Sequence, residues 1–256
     1  PSRQAHFCRY SRVAMPSSSP FSVRFWGVRG SIACSGPRTA RYGGNTSCVE
    51  VRCGERLLIF DGGTGLRYLG NTLKGPLDAD LFLTHTHFDH VCGLPFFRPF
   101  FDPNTRWRVW AGHLAEGMTL RRVLGEFMMS PLFPVPPQVF RARMEYREFK
   151  AGETLNAGPE VAVRTSTLNH PDGATGYRIE YGGRSVCYLT DTEHVPGAPD
   201  RNILELIKGA DLVIYDSMYT DAEYNTYVGW GHSTWQEGVR LCRAAGAKRM
   251  VVFHHD

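Results

Sequence analysis

The chain has 256 residues, 42% of them hydrophobic and 12% aromatic, which is enough for one large or two small globular domains with an apolar core. Its net charge of +4 fits an anionic substrate but is far below that of a protein that coats nucleic acid, and no stretch approaches the roughly 20 apolar residues of a membrane span. Seven scattered cysteines without a C-x-x-C pair argue against a disulfide framework and favour a reducing, cytoplasmic compartment.

The first 20 residues are expected to form a disordered tail outside the fold. They include the serine-rich segment 17–20, and no acidic residue occurs before Glu50 while arginine recurs. An acid-poor segment rich in arginine and serine also fits a transit peptide. We prefer a simpler explanation, in which Met15 is the natural start and the preceding residues come from cloning or upstream translation. Residues 21–256 are then predicted to form a single domain.

The first half of the chain is predicted to mix strands and helices. Apolar alternation from 21 to 26 indicates a strand, and the Gly-, Ser- and Arg-rich stretch 27–44 indicates a long loop. A hairpin is expected to turn at 53–55. The remaining predicted elements of this half are strands at 47–52, 56–60 and 81–84, and helices at 66–73 and 114–129.

The second half is predicted to be rich in short strands. Gly182-Gly183 supplies a hairpin turn between two of them. The predicted strands are 139–147, 161–168, 175–181, 185–190, 212–215 and 249–253, and the predicted helices are 203–208 and 234–245. Because both halves mix strands with helices that come late, we expect an α/β fold with two sheets face to face and helices outside.

The segment 84–90 follows the apolar run 81–83 and reads THTHFDH. Its side chains are expected on the loop at a strand end. His85 and His87 point the same way in extended backbone, whereas Asp89 and His90 lie beyond the bend. One strand end cannot aim four ligands at one ion. The spacing therefore predicts two neighbouring metal ions, an arrangement that suits hydrolysis of phosphate esters.

Further candidate ligands follow predicted strands elsewhere in the chain. His170 follows the strand 161–168, Asp191 follows the run 186–190, and His254 and His255 follow 250–253. Strand ends converge on one rim of a sheet, where loops carry functional groups on a rigid scaffold. A single histidine after a strand is usually a satisfied polar group. Four such segments in one chain favour a metal site instead.

Together these motifs resemble the metallo-β-lactamase superfamily, in order from Phe21 to Asp256. The resemblance implies an αβ/βα four-layer sandwich, with two facing mixed sheets, helices outside and a two-metal site at one edge. The implied ligands are His85, His87 and His170 for one metal, Asp89, His90 and a terminal histidine for the other, and Asp191 as the bridge. For the terminal ligand we favour His255 over His254, because it sits one step further out of the strand.

A histidine before the last predicted helix indicates which branch of the superfamily the chain resembles. Gly231-His232-Ser233-Thr234 resembles an element of tRNase Z and related phosphodiesterases, in which the histidine contacts the scissile phosphate or protonates the leaving oxygen. A positioned general acid is typically worth about 10²–10⁴-fold in rate. Ser233 or Thr234 suits the N-cap of the helix, and the alternative is that His232 is only a residue of that capping loop.

The sequence departs from tRNase Z in one respect. Those enzymes carry a long Gly- and Pro-rich arm that grips tRNA, and no counterpart stands out here. The region 102–150 is compact, and its arginines are diluted by acidic and aromatic residues. We therefore expect a small or cyclic phosphodiester as substrate rather than tRNA.

Four more residues are predicted near the pocket. Asp61 matches a superfamily loop near the metals and is predicted to orient a ligand histidine. Asn45, Glu193 and His194 are candidates for supporting the site or contacting the substrate. For Glu193 and His194, placement on the surface is an equal alternative.

The sequence thus predicts a hydrolase in which a hydroxide held by two divalent metal ions attacks phosphorus, with His232 and Asp89 as catalytic residues. Zinc is the first choice for a histidine-rich site, and manganese or iron also suits the aspartates. We expect a small phosphodiester or short RNA as substrate and no membrane association. A homodimer stays open.

Three other functions share this set of residues. An RNA-processing nuclease of tRNase Z type without the arm uses the same chemistry, and a lactam or thioester hydrolase directs a hydroxide at a carbonyl instead. A diiron redox or sensing protein is the third, and it resembles His-x-Glu-x-Asp-His; His87 at the glutamate position argues against it. A binding module that has lost its metals is disfavoured, because every ligand position is filled. Since fold does not fix function, the substrate stays open.

Overall fold

The computed structural model describes residues 12–14 and 20–256, and the first seven strands lie side by side in one sheet in chain order. They are β1 (Arg12–Ala14), β2 (Phe21–Gly27), β3 (Cys48–Cys53), β4 (Arg56–Phe60), β5 (Asp78–Leu83), β6 (Arg106–Ala111) and β7 (Arg143–Glu148). Neighbours from β1 to β4 are antiparallel and neighbours from β4 to β7 are parallel. Parallel neighbours need crossover connections, and these carry α1 (Gly65–Thr72), α2 (Phe88–Val91) and α3 (Leu120–Phe127).

The other six strands form a second sheet, again in chain order. They are β8 (Thr154–Asn156), β9 (Ala162–Leu168), β10 (Ala174–Tyr181), β11 (Arg184–Leu189), β12 (Leu212–Asp216) and β13 (Met250–Phe253). Strands β8 to β11 pair antiparallel, and β11 to β13 pair parallel through crossovers that carry α4 (Arg201–Ile207) and α5 (Trp235–Ala244). Gly182 and Gly183 turn the β10–β11 hairpin with φ of 56° and 73°, as the sequence predicted.

Three apolar clusters fill the spaces between the layers of the fold. The largest lies between the sheets, where Phe60 of β4 stacks on Phe82 of β5 and meets Tyr177 of β10 edge-on. A second cluster joins the outer face of the first sheet to α1 and α3, and a third joins the second sheet to α4 and α5. Two mixed sheets packed face to face with helices outside confirm the predicted fold class.

A buried ion cluster lies at the start of β5, between the sheets. Asp80 is fully buried, and its carboxylate accepts hydrogen bonds from Arg108 Nε at 2.6 Å, from Trp110 Nε1 at 2.9 Å and from Arg56. Asp78 adds a second carboxylate against Arg108. Each buried charge therefore has an opposite charge from the protein itself, as burial requires.

Strand β6 is an element that the sequence did not predict. Its outward residues Trp107 and Val109 pack under the helices, but the inward position between them is Arg108, which pairs with Asp80. A charged residue on a core-facing position hides the alternation that identifies a strand. The three-residue strand β8 was also missed, and it is too short to show a pattern.

The largest differences between predicted and observed boundaries are at the starts of two elements. The helix predicted at 114–129 begins only at Leu120, where Thr119 caps it by accepting Arg122 N–H, and the predicted strand 139–147 begins at Arg143. Residues 12–14 of the predicted tail form β1, paired with β2. The rest of the prediction for residues 1–19 lies outside the described residues. Among the residues that are described, no helix combines the length and apolarity needed to cross a bilayer.

Candidate metal centre

Ligand side chains reach one edge of the sandwich from five loops or strand ends. The segment 84–90 follows β5, His170 follows β9, Asp191 follows β11, Asp216 ends β12 and His254 follows β13. In the second sheet these strands all point the same way, because β9 and β11 flank the antiparallel β10 and β11 to β13 are parallel. Carboxyl ends of such strands are where α/β sheets bind ligands.

Three histidines, His85, His87 and His170, form what we call the three-histidine group. One ring nitrogen from each lies within 4.8 Å of the others. His170 Nε2 is 3.0 Å from His87 Nδ1. His85 is buried, and its Nε2 has no hydrogen-bond partner among the described residues. Because buried polar atoms are nearly always paired, this nitrogen fits a position that faces a ligand.

A second set, which we call the mixed group, consists of Asp89, His90, Asp191 and His254. All four are buried, and their ligand atoms also lie within 4.8 Å of one another. His90 Nε2 lies 3.2 Å from Asp89 Oδ2 and 3.2 Å from Asp191 Oδ2. His254 Nε2 lies 3.2 Å from Asp89 Oδ2 and 3.3 Å from Asp191 Oδ1. Two carboxylates and two imidazoles thus converge on one point.

Asp191 faces both groups. Its Oδ1 lies 3.8 Å from His85 Nε2 and 3.9 Å from His170 Nε2, while its Oδ2 lies 3.2 Å from His90 Nε2. The backbone at Asp191 is left-handed, with φ of 59°, a conformation that few residues other than glycine adopt. Thr190 Oγ1 donates to Oδ2 at 2.6 Å. The chain therefore turns sharply here and holds one carboxylate between the two sets of imidazoles.

The structure places His254, and not His255, in the mixed group. Strand β13 ends at Phe253, and His254 then turns the chain with a left-handed φ of 59°. His255 is used through its backbone, which donates to Val28 O at 3.0 Å and accepts from Gly30 N at 2.8 Å. The choice of His255 as terminal ligand assumed that the chain runs straight out of the strand, whereas the structure brings His254 to the mixed group instead.

The two groups differ in charge. Burial, followed by the charge of His90, lowers the pKa of His85, and burial lowers the pKa of His170. Burial also works against a charged His90, but the carboxylates of Asp191 and Asp89 outweigh it and raise its pKa. Burial disfavours the ionised forms of Asp89 and Asp191, yet the neighbouring His90 and His254 lower the pKa of both. Neutral imidazoles and ionised carboxylates are the forms that bind cations, so His90 would have to give up a proton when a cation binds.

This donor set fits two divalent cations. Imidazole nitrogens and carboxylate oxygens are ligands of zinc, and they also suit manganese and iron. The buried Nε2 of His85 lacks a hydrogen-bond partner within the described chain, and the buried Nε2 of His90 lies close to two carboxylates without a hydrogen bond to either. The three-histidine group with Asp191 suits one cation, and the mixed group suits the other.

Asp61 supports ligands of both groups. Its Oδ2 accepts from His90 Nδ1 and from the Tyr188 hydroxyl, both at 2.8 Å. Its Oδ1 accepts from Thr84 N–H at 2.8 Å, and the Thr84 hydroxyl lies 3.1 Å from His85 Nδ1. A carboxylate behind a ligand histidine fixes the ring and makes it a better donor. Asp61 thus lies where the sequence suggested, with direct contact to His90 and indirect contact to His85.

His232 lies beside both groups, and it has a partner that the sequence did not identify. Its Nδ1 is 3.0 Å from Asp216 Oδ2 and 3.9 Å from Asp191 Oδ1. Although burial opposes the charged form, the hydrogen bond and charge of Asp216 raise the pKa of His232 to about 9. Asp216 follows the apolar run 212–215 just as Asp191 follows 186–190, and that repeated pattern was the available signal.

The remaining predicted residues lie around the site without joining either group. Asn45 donates to Trp26 O at 3.3 Å and accepts from Thr64, so its bonds hold the loop that precedes β3. Glu193 accepts backbone N–H groups of the loop before His232. His194 is buried, with its Nδ1 2.8 Å from Ser233 Oγ and its ring stacked on Tyr224.

Sequence reasoning also missed His113, which follows β6. Its Nε2 lies 3.1 Å from the hydroxyl of Thr86, the residue between two predicted ligands. Burial, followed by the charges of His87 and His90, lowers the pKa of His113 to about 4. Because β6 itself was not predicted, no strand end pointed to this histidine.

The sequence predicted Ser233 or Thr234 as the N-cap of the last helix, and the structure identifies Thr234. Thr234 is the N-cap of α5, and its hydroxyl accepts Glu237 N–H at 3.1 Å. Ser233 is buried and bonds to His194 and to the Tyr215 hydroxyl instead. The helix start therefore fixes the backbone that directly follows His232.

A family model described as "Beta-lactamase superfamily domain" matches residues 56–255, most of the chain. Ribonuclease Z of Haloarcula marismortui is 24% identical, covering 91% of this chain and 85% of its own. Ribonuclease Z of Haloferax volcanii is 27% identical, covering 90% and 83%.

Solved structures share the fold at low sequence identity. The metallo-β-lactamase fold protein YhfI from Bacillus subtilis superposes with a TM-score of 0.72 at 19% identity, covering 93% of this chain and 87% of its own. Human short-form tRNase Z gives 0.67 at 22%, covering 91% and 92%. A diphosphatase of the PhnP family gives 0.65 at 21%, covering 91% and 85%. Because the family model matches most of the chain, the chain belongs to the metallo-β-lactamase superfamily.

Proposed function

We propose that the chain is a phosphodiesterase that uses two divalent cations and acts on a small or cyclic phosphodiester. The observation that carries this proposal is the position of His232 beside two groups of metal-ligand side chains that share Asp191. Asp216 engages Nδ1 of His232, which leaves Nε2 as the nitrogen that can donate a proton to a substrate.

The residues assign a place to each cation. His85, His87, His170 and Asp191 would hold one, and Asp89, His90, Asp191 and His254 would hold the other. Two bound divalent ions would neutralise the phosphate and make a water acidic enough to attack at neutral pH. Zinc is the proposed metal, because five of the seven ligands are imidazoles.

Side chains of the protein would donate and accept the protons of the reaction. His232 Nε2 is proposed to protonate the leaving oxygen, while Asp216 holds the ring in the orientation that this requires. Asp89 is proposed to take a proton from the attacking water in addition to holding a cation. Its Oδ2 accepts Ser31 N–H at 2.9 Å, which fixes the carboxylate against the loop that follows β2.

Cleavage of short RNA is a second candidate. It is supported by the relatives named ribonuclease Z, which match this chain along most of its length. The small substrate is favoured over tRNA because residues 102–150 consist of β6, α3, β7 and the turns between them. A panel of a 2′,3′-cyclic nucleotide, a short RNA and a tRNA precursor separates these two candidates.

The sharpest test uses two substrates that differ in the leaving group. An alkoxide from a cyclic nucleotide needs a proton from an acid, whereas p-nitrophenolate leaves readily without one. His232→Ala should lower kcat on the cyclic nucleotide by about 10²–10⁴-fold, lower it far less on bis(p-nitrophenyl) phosphate, and leave zinc content intact. His255→Ala is the matched control, because this histidine lies nearby but outside both groups.

Two results would overturn the proposal. One is a His232→Ala variant that cleaves the cyclic nucleotide at the wild-type rate. The other is wild-type protein, loaded with zinc, that hydrolyses a chromogenic cephalosporin or a thioester but no phosphodiester.

A further inference from the structure

Glu193 binds the backbone of the loop that carries His232. One carboxylate oxygen, Oε2, accepts Gly231 N–H at 2.7 Å and Gly229 N–H at 2.9 Å, and Oε1 also accepts Gly229 N–H at 3.0 Å. Both glycines have left-handed backbone, with φ of 92° at Gly229 and 80° at Gly231. Hydrogen bonds to an ionised acceptor are roughly twice as strong as neutral ones. The carboxylate therefore fixes the loop immediately before His232.

The same loop supports a ligand histidine. Gly231 O accepts from His170 Nδ1 at 2.8 Å, and this bond sets the direction of Nε2, the nitrogen that faces His87 and Asp191. The packing is close, since a Cβ added to Gly231 would lie 2.4 Å from His170 Nδ1. A shift of this loop would thus move His170 as well as His232.

The backbone of Glu193 also forms two hydrogen bonds with Asn169. Its N–H donates to Asn169 O at 2.7 Å, and its carbonyl accepts from Asn169 Nδ2 at 2.9 Å. Asn169 directly precedes His170, and Glu193 lies two residues after Asp191. One residue therefore connects three segments of the site, those that carry His170, Asp191 and His232.

We propose that Glu193 is a positioning residue that aligns a ligand of the three-histidine group, His170, with the proton donor His232. The bonds of Glu193 reach the segments of His170 and His232 directly, whereas they reach the mixed group only through the backbone that leads to Asp191. The effect of Glu193 should therefore be larger at the cation position of the three-histidine group. The inference rests on the proposed function for the role of His232, but its effect on metal binding does not require any activity.

The experiment compares Glu193→Ala and Glu193→Gln with the wild type. Alanine removes all acceptors of the side chain, whereas glutamine keeps one oxygen of similar reach and loses the charge. Glu205→Gln on α4 is the matched control, an exposed glutamate on the outer face of the sandwich. Zinc affinity is measured by competition with a chromogenic chelator, and kcat and KM are measured on a cyclic nucleotide and on bis(p-nitrophenyl) phosphate.

We expect one of the two zinc-binding steps of Glu193→Ala to weaken by about 10–100-fold, the usual effect of losing a residue that orients a ligand, while the other step changes much less. The kcat on the cyclic nucleotide should fall more than that on the aryl ester, with little change in KM. Glu193→Gln should lie between the wild type and Glu193→Ala, and Glu205→Gln should equal the wild type.

Wild-type zinc affinity and wild-type kcat in both Glu193 variants would overturn the proposal. Equal weakening of both zinc steps, together with a lower thermal midpoint, would also overturn it, because that pattern reflects general destabilisation. If the wild type cleaves no phosphodiester, the proposed function fails, but the zinc titration still decides the role of Glu193.

Discussion

Two buried polar clusters lie only five residues apart along the chain, and they differ in whether the protein satisfies them. The Asp80 cluster, formed by Asp80, Arg56, Arg108 and Trp110, pairs each buried charge with an opposite charge of the protein or a hydrogen-bond donor. At the carboxyl end of the same strand, the buried Nε2 of His85 has no hydrogen-bond partner in the described chain, and Nε2 of His90 lies 3.2 Å from Asp89 Oδ2 and from Asp191 Oδ2 without a hydrogen bond to either.

We interpret this difference as one between a cluster that stabilises the fold and one that is suited to bind cations. Paired buried charges hold elements together and need nothing from solution. A group of imidazoles and carboxylates with unpaired nitrogens gains stability only when a cation completes it. The Asp80 cluster should therefore set the stability of the metal-free protein, and the two metal-binding groups should set how much zinc adds.

The largest expected effect comes from Asp80→Ala. It leaves Arg108 and Arg56 without their main partner, so the free energy of unfolding of the metal-free protein should fall by about 3 kcal/mol, the lower end of the range for a broken buried ion pair, since Asp78 remains. Urea denaturation measures this loss. Glu126→Ala, which breaks the exposed pair with Arg122, should cost about 0.5 kcal/mol or less. Equal costs for the two variants would contradict the role given to Asp80.

Each bound zinc ion should stabilise the wild type by about 2.7 kcal/mol at a free concentration 100 times its Kd. For a chain of this size that corresponds to a rise of about 5–10 °C in thermal midpoint. Asp80→Ala should show the same increment from its lower starting point, and Asp191→Ala should lose most of it. A midpoint that does not respond to zinc would mean that the two groups are not a cation site.

Asp61→Asn tests the support behind the ligands. The amide replaces a carboxylate that accepts from His90 Nδ1, Thr84 and Tyr188, so zinc affinity should fall by about 10–100-fold, roughly 1.4–2.7 kcal/mol. Isothermal titration measures the affinity. Asp80→Asn is the control, since it alters a buried aspartate of the same layer but should leave zinc affinity at the wild-type value; a drop in both variants would remove the distinction between the clusters.

The smallest effect is expected from His255→Ala. Its bonds to Val28 and Gly30 come from the backbone, so stability should change by less than about 0.5 kcal/mol and zinc affinity should not change. His254→Ala should instead weaken zinc binding in the same titration. The reverse order would restore His255 as the terminal ligand.

Much of this site could be predicted because apolar runs that end in histidine or aspartate mark strand ends on one rim. That logic placed His85, His90, His170 and Asp191 correctly at the same edge, and it also identified the two facing sheets. It failed at β6, because Arg108 occupies an inward position and interrupts the apolar pattern. Asp216 was not predicted, although it directly follows the apolar run 212–215 as Asp191 follows 186–190.

Other features depend on backbone geometry that side-chain patterns do not show. The left-handed turn at His254 decides which of two adjacent histidines faces the site. The bonds of Glu193 go to backbone N–H groups more than 30 residues away, and such partners have no signature in residue type. The residues that gather at this edge could thus be predicted better than the contacts that orient them.

The most direct measurement is the number of zinc ions bound per chain, obtained by native mass spectrometry of metal-free protein reloaded with zinc. We expect two ions in the wild type and fewer in Asp191→Ala, because that carboxylate faces both groups. A single ion in the wild type at saturating zinc, or two ions retained without Asp191, would contradict this expectation.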